Sequence, residues 1–253
     1  MQEPVQSVDR ALSILEVLSE YENGLGITEI SNKVELHKST VHRLLATLIA
    51  KGYVKQNQEN NNYILTMKLF ELGNKKIEKM NIVNVSRNYL QSLVNETNEV
   101  VHLVIREGNE IVYISKVESQ NIIRMHSRIG SRKPVYCTAV GKAMLSYLSE
   151  EEVKNIWDSS KIEKITEHTV TDFKQFVTDL KEIRQRGYAR EEQENEIGIR
   201  CVAASILDYR GEVCGAISIS GSILSYTEEK KENFAKLIME YALIISKELG
   251  YRG

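Results

Sequence analysis

Between Leu36 and Val54 the sequence LHKSTVHRLLATLIAKGYV carries two faces on a single helical period. Val41, Leu44, Leu45 and Leu48 fall at spacings of three and four and form a continuous apolar stripe. Opposite them lie Ser39, His42, Arg43, Ala46 and Thr47 at the same spacings, with Lys38 and Thr40 at the N-terminal end. A helix of this kind must bury one face, and Lys51-Gly52 supplies its stop. The neighbouring segments supply the cover. Residues 5–21 read as a helix through Val5, Val8, Leu12 and Leu15, ended by Asn23-Gly24. Ile27, Ile30 and Val34 mark a short second helix, for which Thr28 is a plausible N-cap. Tyr53–Gln56 and Tyr63–Leu65 are strand-like pieces around the polar stretch QNQENNN, a hairpin tip. Helix, helix, turn, helix, hairpin is the order of a winged helix-turn-helix.

The polar face of the third helix has the chemistry of a major-groove reader. Its small side chains let the backbone approach DNA, an arginine can bridge guanine O6 and N7, and hydroxyls and helix-end amides hold phosphates. Lys38, Ser39, Thr40, His42, Arg43 and Thr47 are therefore the expected DNA contacts. The chain as a whole is close to neutral, at a formal −2 over 253 residues, which excludes a polycation that coats nucleic acid. Locally the sign differs. Residues 33–58 carry Lys33, Lys38, Arg43, Lys51 and Lys55 against Glu35 alone, a net +4.

Residues 67–80 look helical with a thin apolar face, and the pattern breaks at Met80-Asn81. The expected organisation is a DNA-binding domain over 1–66, a helical linker over 67–83, and a second domain over 84–253. In the second domain the period changes repeatedly. Helices are expected over 85–95, 139–148, 151–157, 172–186 and 227–249, and strands over 100–105, 111–117, 122–126, 201–207 and 213–220. EGNE at 107–110 and DYRG at 208–211 are turns between paired strands. Hairpins mixed with helices imply an α+β domain with an antiparallel sheet.

Two features suggest a small-ligand pocket there. Thr138–Gly141 directly precedes a helix, where free amides favour an anion. Ser218 and Ser220 sit two apart in an apolar strand and so share a face, where either a ligand carboxylate or a neighbouring strand could satisfy their hydroxyls.

VQSVDRALSILEVL, GITEIS, LHKSTVHRLLATLIAKGYV and YILTMKLFELG resemble, in order and spacing, the N-terminal half of the isocitrate-lyase-regulator (IclR) family of bacterial transcription factors. RKPVYCTAVGKAMLSYL and GIRCVAASILDYRGEVCGAISISGS are similar to the same family's effector domain, so the resemblance spans about Val5 to Gly250. The sequence departs at His37, where the family usually has a proline opening the recognition helix. The resemblance implies a GAF-like effector domain that binds a small carboxylate such as a keto acid, a sugar acid or an aromatic acid. It places the amides of Ala139 and Val140, the side chains of Glu191, Cys201, Ser218 and Ser220, and an apolar wall of Ile122, Met125 and Ile199 around the ligand. A bare carboxylate would be repelled by Glu191, which suits a ligand hydroxyl or ammonium instead. The implied function is a transcriptional regulator, most simply a repressor, acting on a near-palindromic double-stranded operator as a homodimer or homotetramer. The thin apolar faces of residues 7–21 and 67–80 are the expected dimer surfaces.

Three other readings compete. The second domain could only oligomerise and sense no ligand. The helix-turn-helix could serve protein contact. The chain could be a cysteine-dependent enzyme with Cys201 and His102. The five histidines are scattered without HExxH, there is no GxSxG, and no His/Cys pair has metal-ligand spacing, so neither metal nor cofactor is expected. Three widely spaced cysteines suit reduced thiols, and the first residues carry Glu3 without an apolar core, so a cytoplasmic protein without membrane attachment is expected.

Overall fold

The structure is a computed structural model that describes residues 5–77, 82–119 and 127–253. It divides into two compact units, Met1–Lys79 and Met80–Gly253.

In the first unit α1 (Gln6–Ser19), α2 (Ile27–Lys33) and α3 (Lys38–Ala50) are followed by the antiparallel pair β1 (Val54–Gln56) and β2 (Tyr63–Leu65), and then by α4 (Lys68–Ile77). The apolar stripe read from the sequence is the core: Val41, Leu45 and Leu48 of α3 close on Ile14 and Leu18 of α1, Ile30 of α2, and Val54 and Tyr63 of the hairpin. Each fully buried aliphatic side chain contributes about 1.5–3 kcal/mol, so this small cluster suffices to hold three short helices together. The hairpin is tied to the helices because Leu25 bridges Tyr63. Gly24 makes that approach possible: its φ is +68°, and a Cβ there would collide with the Tyr63 carbonyl. One detail differs from expectation. The N-cap of α2 is Gly26 rather than Thr28, and the Glu29 carboxylate accepts from the Gly26 amide at 2.8 Å. His37 occupies the N-cap of α3 at φ −62°, the value a proline ring would impose, so the helix starts there without one.

The second unit is built on a six-stranded sheet in which every neighbouring pair is antiparallel. Its strands are β3 (Val100–Glu107), β4 (Glu110–Val117), β5 (Arg132–Pro134), β6 (Ala189–Glu192), β7 (Ile199–Leu207) and β8 (Val213–Ser222), in the order β5-β4-β3-β8-β7-β6. Helices cover both faces. α5 (Ile82–Thr97) and α9 (Glu228–Glu248) pack Leu90, Leu93, Phe234, Ile238 and Ile245 against Val101, Leu103, Val202, Ala204, Ile206, Ile217 and Ile219. α6 (Ala139–Leu145), α7 (Glu150–Ser159) and α8 (Phe173–Arg186) cover the other face over Ala189, Ala203 and Ala216. From Gly215 onward, past the register shift opposite Ile206/Leu207, side chains of β8 alternate: Ile217 and Ile219 face one helical layer, and Ala216 on the even positions faces the other. Small residues on the even face let α6 approach closely, and Gly141 is part of that fit, since a Cβ there would strike the Val135 carbonyl.

β5 and β6 are strands that sequence periodicity did not reveal. Both are short edge strands rich in charge, without an apolar period of their own. The strand expected over 122–126, with Ile122 and Met125, lies outside the described residues.

Candidate functional sites

On the first unit, α3 presents Lys38, Ser39, His42, Arg43, Ala46 and Thr47 as exposed, with Thr40 half-buried. All six expected DNA contacts therefore lie on one helix away from its buried stripe. The Thr47 hydroxyl donates back to the Arg43 carbonyl at 3.2 Å, which orders the middle of that face. Arg43 and Thr47 also rim an open groove of about 870 Å³ beside α1 and α4. Its apolar lining includes Val8, Leu12, Leu69 and Leu72, all exposed, from the two segments expected to dimerise.

The second site is assembled by strand register. Val100 on β3 pairs with Ser220 on β8, Ser220 with Cys201 on β7, and Cys201 with Glu191 on β6. The adjacent row runs His102, Ser218, Ala203, Ala189. These rows lie on the even face, and a cavity of about 160 Å³ opens where α6 begins above them. Ala139, Val140, Glu191, Ile199, Cys201, Ser218 and Ser220 all line it. Thr138, from the segment expected to favour an anion, lines it too, and so do residues that sequence reasoning did not assign to a ligand: His102, Tyr113, Ser127, Ser131, Lys133, Asn195 and Glu196. A signal existed for two of these. His102 interrupts the apolar run VVHLVI, and Tyr113 interrupts IVYIS, each a polar group on a buried strand.

The polar groups are buried and connected. His102, Ser218, Ser220 and Glu191 are each less than 5% exposed. The His102 Nε2 lies 2.7 Å from the Ser127 hydroxyl, and its Nδ1 is 3.4 Å from both the Ser218 and the Ser220 hydroxyls. Burial, assisted by Lys116, holds the imidazole well below its ordinary value, to about 3, so it is neutral. The Glu191 Oε1 accepts the amides of Glu194 at 2.5 Å and Asn195 at 3.2 Å, while burial pushes its carboxyl up to about 7. Thr138 caps α6 by accepting from the Gly141 amide at 3.2 Å. The turn over 193–196 is fixed by Thr166 and Thr169, which donate to the Gln193 and Glu194 carbonyls at 2.7 Å each, and by Lys142, whose Nζ sits 2.5 and 2.6 Å from the Glu194 oxygens. Glu191 and Glu194 therefore do not belong to a solvated charge run: strand alternation turns Arg190 and Glu192 outward and Glu191 in. Arg200 faces away, ion-paired to Glu192 and Glu228.

This arrangement is poor for thiol catalysis. Burial pushes the Cys201 thiol well above its ordinary value and Cys137 up to about 12. With His102 neutral, neither half of a thiolate–imidazolium pair forms. Among the described residues no group of three or more His, Cys, Asp or Glu could hold a metal ion, and no helix is long and apolar enough to cross a membrane.

Comparison with known proteins assigns both units to one family. Residues 7–58 match the IclR helix-turn-helix domain, and residues 74–247 match the bacterial transcriptional regulator IclR C-terminal domain. The chain is 37% identical over 247 residues to the HTH-type transcriptional regulator KdgR of Escherichia coli K12, covering 98% of this chain and 94% of that protein. It is 30% identical over 248 residues to the transcriptional repressor IclR of the same organism, covering 97% and 90%. The crystal structure of the Agobacterium tumefaciens repressor BlcR superposes with a TM-score of 0.82 at 26% identity over the full length of both chains. These relatives are regulators of transcription, not enzymes.

Proposed function

Because the chain belongs to the IclR family of DNA-binding transcriptional regulators, we propose that its cavity holds a small organic-acid effector that controls operator binding, and that its action is repression. The observation that carries this reading is the convergence of buried hydroxyls, an imidazole and a carboxyl on one cavity, with the first turn of α6 above them. Buried polar groups are retained where they have partners, and the Ser218 and Ser220 bonds to His102, at 3.4 Å, are long enough to leave capacity for another. In this reading the Ala139 and Val140 amides and the two serines take the effector carboxylate, Glu191 and Cys201 flank it, and Ile199 supplies apolar wall.

Lys38, Ser39, Thr40, His42, Arg43 and Thr47 then contact a near-palindromic operator. One recognition helix touches too few base pairs for useful specificity, so the DNA-bound form is at least a dimer. The apolar groove of α1 and α4 is the proposed dimer face, and tetramers form through the second units. The domain limits 1–66, 67–83 and 84–253 and a cytoplasmic location belong to the same proposal. The reading in which the second unit only oligomerises lacks a use for the polar cavity. A thermal-shift screen of the full chain against keto, hydroxy and aromatic acids tests the reading: stabilisation by one class, with altered operator footprinting by the same compound, supports it. No stabilisation across the panel removes it.

A further inference from the structure

Glu191 stands at the end of the Val100–Ser220–Cys201–Glu191 row, 3% exposed, and its position is fixed by two backbone amides on Oε1 rather than by a cation. Burial raises the carboxyl more than those amides and a hydrogen bond from the Cys201 thiol lower it, and none of its charged neighbours among the described residues pairs with it. Lys142, from α6, is engaged by both oxygens of Glu194 on the adjoining turn. Lys133, from β5, lines the cavity but is exposed, where water weakens its field. Lys116, opposite His102 in the β3–β4 ladder, is paired to Glu118 at 2.7 Å. His102 itself is neutral, and burial pushes Tyr113 from β4, Cys137 from the loop before α6, and Cys201 from β7 toward their uncharged forms. Glu196, at the exposed edge of the cavity, adds a second carboxylate.

Among the described residues, then, the cavity holds donors for an anion but no buried cation free to balance it. An effector carboxylate beside an ionised Glu191 would place two like charges in a medium that screens them poorly. We propose that Glu191 is a specificity-determining residue that binds the effector as a neutral carboxylic acid, its O–H donating to an effector oxygen. When Glu191 is ionised beforehand, the proton comes from solvent, so one proton is taken up per effector bound. The carboxyl of the free protein, pushed up to about 7 by burial, is already poised for this. The inference deepens the effector reading and rests on it.

The test is calorimetry of the full chain with pyruvate and with gluconate, in two buffers of different ionisation enthalpy, from pH about 6 to about 8. The expected result is an affinity that falls toward tenfold per pH unit above the Glu191 transition, with proton uptake approaching one. Glu191→Gln, whose amide keeps a donor at the same place, is expected to bind with nearly constant affinity and no linked proton. A wild type whose affinity is flat across this range, or a Glu191→Gln variant with the same slope, overturns the proposal. If neither acid binds, the effector reading loses its support, and infrared spectroscopy of the ligand-free chain decides on Glu191 separately. A protonated-carboxyl stretch that disappears between about pH 6 and about pH 8 and is missing in Glu191→Gln upholds the raised carboxyl, and a Glu191 already fully ionised at about pH 6 overturns the proposal.

Discussion

His102 on β3 and Ser218 on β8 are paired across the sheet, and the imidazole Nδ1 lies 3.4 Å from the serine hydroxyl on the wall of the cavity. The pair joins the two halves of the six-stranded sheet at the site. The neutral ring shares its cavity with a protonatable carboxyl, Glu191, and the two have opposite consequences for stability.

Glu191 has a folded value raised from 4.5 to about 7, so it favours the folded state below 4.5 and loses that contribution as pH rises through 7. His102 is lowered from 6.5 to about 3, so its contribution is present above 6.5 and lost as pH falls toward 3. Between 4.5 and 6.5 the two slopes oppose. Denaturant titrations of Glu191→Gln are expected to show stability falling across that window as pH drops, where the wild type stays nearly flat. At higher pH the same variant is expected to be the more stable protein, because it buries no charge. Equal pH profiles for both proteins would contradict the assignment.

Arg43→Ala is expected to weaken specific operator binding by about 1–3 kcal/mol and to relax preference at one base position. Lys38→Ala is expected to lower affinity evenly across sequences and to reduce the salt dependence. Footprinting at several salt concentrations distinguishes the two, and unchanged affinity on Arg43→Ala would refute its base-reading role.

Replacing both serines, Ser218→Ala with Ser220→Ala, removes two hydroxyls from the cavity and leaves the first unit untouched. A hydrogen bond to a charged group is worth about 1.5–3 kcal/mol, so effector affinity is expected to fall at least tenfold. Operator affinity without effector should not change. Retained effector affinity would mean that the hydroxyls serve only His102 and the sheet.

Lys142 and Glu194 are 2% and 7% exposed, and each neutralises the other. Lys142→Met leaves a buried carboxylate alone and is expected to cost about 3–5 kcal/mol. Adding Glu194→Gln should recover a large part of this loss. A double variant no more stable than Lys142→Met would show that packing, not charge, accounts for the loss.

Leu12→Glu, in the exposed groove of the first unit, is expected to dissociate the DNA-binding form and abolish tight operator binding while the fold is kept. Sedimentation velocity and circular dichroism provide the check. A monomer that still binds its operator tightly would remove the dimer proposal.

The helix-turn-helix was legible in the residues because its signal is local. Val41, Leu45 and Leu48 repeat on one period, so the buried face of α3 and its exposed partner face follow from spacing alone. Ser218 and Ser220 were legible for the same reason on the strand period, and the family resemblance added Glu191 and Cys201. What spacing could not supply was the neighbour across a ladder. His102 and Ser218 are 116 residues apart, and only the β3–β8 register brings them together. Glu191 reads as one member of a charge run until β6 pairs with β7 and turns alternate side chains to opposite sides of the sheet. The sequence by itself determined the helices, the long strands and the faces they bury, because those depend on periods of two and 3.6 residues, whereas the short edge strands β5 and β6 carry no such period. Only the tertiary structure decided which buried polar groups share a cavity and how burial shifts their protonation, because register and burial are properties of the assembled sheet.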